Sequence, residues 1–282
     1  MNSKKALRLL VNKKEKPIGI FDSGLGGLTV LKEIFRELPY ESTIYLGDTA
    51  RVPYGIRSPE TVTRYSSENV RFLISRDIKA LVIACNTASS VSLEAIKDIV
   101  SVPVVGVIDP GAKTAAASTK NKKVGVIGTI ATIKSGSYTR AIKAIDPGIE
   151  VFGLSCPLFV PLVEEGWTEG RIVSMIAGKY LENIKDKGID TLVLGCTHYP
   201  LLKKVISEEM GQEINLIDSA IETANEIRRI LGISSLLKDS ATDTFREFYV
   251  TDSPDRFQEL GENFLGNQIN YIKKIELETE AS

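Results

Sequence analysis

Cys85 and Cys196 are the residues best placed by type and spacing to do chemistry. Each ends a short apolar run and opens a polar turn that carries threonine, LVIACNTASS at 81–90 and LVLGCTHYPL at 192–201. The neighbours repeat too: VVGVID at 104–109 follows the first cysteine and INLID at 214–218 the second, each ending in aspartate. Two related units are indicated. A cysteine between a strand and a helix meets free N–H groups and the positive end of the helix dipole, so its thiol is expected below the usual value of about 8.5. Two alike, facing each other across a cleft between the units, suit racemisation. One thiolate takes a proton from one face of a carbon, one thiol returns a proton to the other, and the reverse reaction swaps the roles.

The surrounding turns fit a small charged ligand. Asn86, Thr87, Ser89 and Ser90 offer neutral hydrogen-bonding groups to a carboxylate beside helix N–H donors. His198, the single histidine, lies two residues from Cys196 and can pass a proton on. Asp22-Ser23-Gly24-Leu25-Gly26-Gly27 follows an apolar run and opens a helical pattern, with a carboxylate for an amine or a thiol. As a dinucleotide fingerprint it fails, because Thr29 stands where the last glycine is needed, and no Walker A sequence is present. Cysteines and histidine lack the spacing of a metal site. The expectation is therefore no metal and no cofactor. Cys156, ahead of Pro157, reads as a small buried hydrophobe.

Elements that position these residues can be read from periodicity. Strand-length apolar runs lie at 18–21, 43–46, 81–84, 104–108, 124–127, 151–154, 192–194 and 214–217, with a further strand pattern at 245–251. Helical spacing fills the gaps, as in Leu31, Ile34, Phe35 and Leu38 before Pro39, or Ile172, Ile176 and Ile184 before Gly188. Such alternation implies a mainly parallel sheet covered on both faces, with ligands bound beyond the carboxyl ends of its strands. Ser58 before Pro59, and Ser219 with Glu222 three residues on, predict two helix starts. A capped helix is expected after Asp252-Ser253-Pro254.

Thirty-five basic and 36 acidic residues leave a net charge of −1, so nothing drives the whole molecule towards nucleic acid, whose binding would need a basic face. No run reaches the roughly 20 apolar residues of a membrane span. Residues 1–16 read as a basic solvated tail, too short in apolar stretch for a signal peptide. Three scattered cysteines make no disulfide framework and point to the cytoplasm. The expected partner is a small-molecule substrate, with no nucleic acid and no membrane; a homodimer stays open.

Four motifs together, DSGLGG at 22–27, PYGIRS at 53–58, CNTAS at 85–89 and GCTHYPLL at 195–202, resemble the motif set of the glutamate racemases, over roughly residues 17–231. The resemblance implies two similar doubly wound α/β domains with the active site between them. It implies interconversion of L- and D-glutamate without a cofactor, supplying D-glutamate for peptidoglycan. Cys85 would then deprotonate the D enantiomer and Cys196 the L, with Asp22 beside the first and His198 beside the second. Asp22, Ser23, Tyr54, Gly55, Asn86, Thr87, Thr197 and His198 match the family's substrate-contacting positions, and Glu164 an acidic catalytic position near His198. The chain would return to the first domain at about Asp218, giving a first domain of 17–108 plus about 218–282 and a second of about 109–217. Three other readings remain at this stage: a racemase of another small acid such as aspartate, a cysteine hydrolase using one cysteine with His198, and a non-enzymatic binding module.

Overall fold

The computed structural model describes residues 13–278. Within them the strands are β1 (Ile18–Asp22), β2 (Thr43–Gly47), β3 (Ala80–Ile83), β4 (Val104–Gly106), β5 (Lys123–Gly128), β6 (Glu150–Ser155), β7 (Thr191–Gly195), β8 (Asn215–Asp218), β9 (Arg246–Val250) and β10 (Ile272–Lys274). They form two sheets, β10-β9-β2-β1-β3-β4 and β6-β5-β7-β8, in which every pairing is parallel. The order β2-β1-β3-β4 repeats as β6-β5-β7-β8. This is the internal repeat in three dimensions: each cysteine follows the third strand of its unit, beside the unit's central first strand. β9 and β10 extend the first sheet from the β2 edge.

Buried parallel strands need apolar side chains on both faces, and β1, β2, β3 and β7 are buried at every residue. β6, at the edge of its sheet, is only partly covered. Two helices carry the chain between units, Ile108–Ser118 outward and Ser219–Ile233 back, and they pack on each other. The returning helix also packs along Leu28–Glu37 of the first unit. One hydrophobic cluster consequently runs through both units, from Ile18, Leu28 and Leu31 to Ile227, Leu231, Val126 and Leu194.

Several local expectations change. The strand expected over 104–108 stops at Gly106, because Ile108 already starts a helix whose first turn holds Asp109 and Pro110, a position where proline costs no hydrogen bond. Ser58 caps the Pro59–Ile74 helix, accepting from Thr61 N–H at 3.3 Å. Ser219 does not cap its helix: Asp218 does, accepting from Ala220 N–H at 2.9 Å, and Ser219 is the first helical residue. Ser253 precedes the Pro254–Leu265 helix at φ 49° without a side-chain cap. The expected basic tail divides: residues 1–12 lie outside the described residues, while 13–16 are tied down. Lys14 pairs with Asp239 at 2.8 Å and Lys16 with Asp77 at 2.6 Å, and the Lys14 carbonyl accepts from buried Lys79.

Candidate active site

Cys85 is the residue that caps the Asn86–Ile99 helix, its Sγ accepting from Ala88 N–H at 3.5 Å. Its thiol donates to Ser23 Oγ at 3.6 Å, joining the turn after β3 to the turn after β1. The sequence places this thiol low, whereas the structure pushes it up to about 12. Burial is the largest cause and the nearby Asp22 carboxylate adds to it; the Ala88 N–H and Ser23 hydroxyl pull the other way and lose. Asp22 itself is fully buried, and burial raises its carboxyl above the usual range against the opposing charge of His198. Its Oδ2 accepts from Gly24 N–H at 2.9 Å, and Oδ1 has no partner among the described residues.

Cys196 stands at the matching point of the second unit, directly after β7. Its Sγ is 3.8 Å from His198 Nδ1, and His198 Nε2 is 3.1 Å from Glu164 Oε1, at the end of the Phe159–Glu164 helix. The imidazole edge meets the Phe264 ring at 5.5 Å between centroids. Burial alone would depress the His198 pKa, but the bonds and charges of Cys196 and Glu164 outweigh it and lift the value to about 10. The same contact with His198 holds the Glu164 carboxyl below its usual range, against the effect of burial.

Because this chain has one histidine, the titration of His198 can be followed without overlap. The imidazole signal in a proton NMR titration is expected to titrate near 10, and in Glu164→Gln to move toward its ordinary range; a wild-type midpoint near 6.5 would refute the linked Cys196–His198–Glu164 arrangement. The folded value lies above the unfolded one. Stability from the imidazolium is therefore fully present below about 6.5 and lost as pH rises through about 10.

Both turns open on one cavity of about 240 Å³. Ser23, Cys85, Asn86 and Thr87 line it from the first unit and Cys196, Thr197, His198 and Glu164 from the second, with Tyr54 and Gly55 at one side. Asp22 lies behind this wall. The Tyr54 hydroxyl is engaged away from the cavity, by the buried Asp48 carboxylate and by Asn69 Nδ2 at 3.0 Å. Thr129 also lines the cavity, and sequence reasoning missed it as a site residue. Its hydroxyl lies 3.0 Å from those of Thr87 and Thr132, a hydroxyl chain across the cleft. The signal was its place: Thr129 follows β5 as Ser23 follows β1.

The units meet closely at glycines. A Cβ on Gly55 would lie 2.8 Å from Thr129 Cβ, and one on Gly26 would run into Thr197 Oγ1 and lie 2.6 Å from His198 Nδ1. Beside Gly26, Thr29 Oγ1 donates to the Thr197 carbonyl at 3.0 Å. No lysine or arginine lines the cavity, so an anionic group there would rely on N–H and hydroxyl donors and on His198. Among the described residues no group of three or more His, Cys, Asp or Glu side chains converges as a metal site would.

Similarity to known proteins agrees with this geometry. A family model described as Asp/Glu/Hydantoin racemase matches residues 18–227. The chain is 56% identical over 265 residues to a glutamate racemase of Geobacter metallireducens, covering 94% of this chain and 98% of that protein. Its fold matches a glutamate racemase of Bacillus anthracis with a TM-score of 0.90 at 42% identity, over 94% of this chain and 98% of that one. It also matches the glutamate racemase of Francisella tularensis solved with D-glutamate, with a TM-score of 0.89 at 38% identity, over 93% and 98% of the two chains. With one family model spanning most of its length and relatives of this likeness, the chain belongs to the Asp/Glu/Hydantoin racemase family and is an isomerase.

Proposed function

We propose that this enzyme interconverts L- and D-glutamate by a two-base mechanism, without a cofactor, and supplies D-glutamate for peptidoglycan. The observation that carries the reading is that Cys85 and Cys196, each from its own unit, line one cavity of about 240 Å³, room enough for an amino acid. A hydrolase would need only one of them. In the L to D direction Cys196 takes the α-proton, with the His198 imidazolium beside it to stabilise a thiolate, and the Cys85 thiol delivers a proton to the opposite face. The reverse direction exchanges these roles. Ser23, Asn86, Thr87, Thr197 and the N–H groups of the Asn86–Ile99 helix hold the carboxylates, with Tyr54 and Gly55 closing the side of the site. Asp22 acts from behind Cys85 on its proton balance, and Glu164 acts through His198.

The same reading assigns residues 17–108 with about 218–282 to one domain and about 109–217 to the other, in keeping with the strand membership of the two sheets. We place the enzyme in the cytoplasm, whose reducing conditions suit three free buried cysteines. Among the described residues no helix is long and apolar enough to cross a membrane.

Isotope labelling tests the mechanism. With L-glutamate in deuterated water, D-glutamate formed early should carry solvent deuterium, because the Cys85 thiol has exchanged before it delivers. Unreacted L-glutamate should carry almost none, since its proton sits on Cys196 and returns from there. D-glutamate as substrate should give the mirror result. Substantial protium in early product would sink the two-base reading in favour of a single base serving both faces.

A further inference from the structure

Tyr138 is buried on the Ser137–Ile145 helix of the second unit, yet its hydroxyl donates to Asn86 Oδ1 of the first unit at 2.8 Å. The ring sits where both crossovers meet. A Cβ on Gly111, in the outgoing helix, would lie 3.4 Å from Tyr138 Cε1, and one on Gly195, at the end of β7, 3.1 Å from Cε2. Ser219, the first residue of the returning helix, lies beside the same ring, since that Gly111 Cβ would also lie 3.4 Å from Ser219 Cβ. Burial raises the phenol pKa, so it stays protonated and able to donate. Tyr138 is not part of the cavity wall; Asn86 is.

An amide side chain has an accepting and a donating end, and whatever holds one end decides which the ligand meets. A phenol has one proton. The 2.8 Å bond gives that proton to Asn86 Oδ1, and the buried Asn86 Nδ2 is left without a partner among the described residues. We infer that Tyr138 is a positioning residue that locks the Asn86 amide with Nδ2 turned to a substrate carboxylate, and that it ties this lock to the junction where the chain crosses between units. Separating the units would break the 2.8 Å bond and free the amide, so the carboxylate is fully gripped only when the cleft is closed. This inference rests on the glutamate racemase reading given above.

A double-mutant cycle of Tyr138→Phe and Asn86→Ala, assayed in both directions with glutamate, tests it. Phenylalanine keeps the ring that packs the junction and removes only the hydroxyl. Tyr138→Phe should lower kcat/KM about tenfold, mainly through KM, the scale of one lost hydrogen bond. Asn86→Ala should lower it further, and the double variant should match Asn86→Ala alone. Losses that multiply in the double variant would overturn the inference, as would a Tyr138→Phe enzyme with wild-type KM. A purely structural loss of stability would multiply in this way, so the cycle separates it from positioning. Wild-type enzyme that leaves glutamate unchanged would instead overturn the functional reading.

Discussion

Replacing Cys85 or Cys196 by alanine should stop racemisation in both directions, with turnover reduced by about a thousandfold or more in each. A positioned proton-transfer group contributes about 10²–10⁴ in rate, and each direction needs one thiol as base and the other as acid. Neither loss is confined to one enantiomer. The fold should survive, since each substitution removes one sulfur from a small buried side chain, and melting should shift by only about 5 °C. Cys156→Ala is the internal comparison. That thiol is fully buried and absent from the cavity wall, and its own pKa is pushed up to about 12 by burial and then by Cys196, so turnover should remain close to wild type. Chiral chromatography of both reactions, with circular dichroism melts, reads all three variants. Near-normal turnover in either catalytic-pair variant, or a dead Cys156→Ala enzyme, would show the pair to be wrongly chosen.

Gly26→Ala should be almost as damaging, though Gly26 carries no chemistry. The added methyl would occupy the space of Thr197 Oγ1 and lie 2.6 and 2.7 Å from His198 Nδ1 and Cε1. The neighbours cannot yield freely, because Thr29 binds both the Gly26 and the Thr197 carbonyls and Glu164 holds the far side of the imidazole. Thr197 and His198 must move away, and displacing catalytic groups by about 1 Å costs about a hundredfold. The expected result is a loss of that order in kcat/KM in both directions, with the His198 titration falling from about 10 as its contacts loosen. Gly24→Ala, whose methyl would make an ordinary 3.5 Å contact with Val52, should be mild. Equal activity of the two variants would mean that the approach of the first glycine turn to the second cysteine turn is not needed.

Much of this was legible because β-branched runs in a parallel sheet are buried on both faces and show as uninterrupted apolar segments. Hence β1 to β9 could be located from the pattern of apolar runs, while β10, three residues of Ile272-Lys273-Lys274 at a sheet edge, carries no such pattern. The cap falls at Asp218 rather than Ser219 because the capping-box spacing to Glu222 fits Ser219, while the backbone leaves extended geometry only after Asp218, whose carboxylate takes the Ala220 N–H. The two cysteines stood out through their repeat, and His198 as the chain's one histidine, two residues from Cys196. Glu164 did not, for it reaches His198 from 34 residues away and only resemblance pointed to it. Protonation was the least legible property: helix capping at Cys85 is local and readable, but the burial and the Asp22 carboxylate that overcome it arise from tertiary packing.

The unequal halves of the site have a thermodynamic consequence. Mirror-image substrates have the same free energy in water, so the equilibrium constant is one and kcat/KM must be equal in the two directions, however different Cys85 and Cys196 are. The asymmetry can enter only where that constraint is silent, in the separate kcat and KM values and in the empty enzyme. Under the proposed two-base mechanism the protons would sit, after each turnover, on the wrong thiols for another molecule of the same enantiomer, and the empty site would have to exchange them before it could repeat the reaction. With Cys85 held as a thiol and His198 as a cation at rest, one arrangement is the lower in energy. At high substrate concentrations the speed limit of that mechanism would pass from carbon chemistry to this resetting of the empty site.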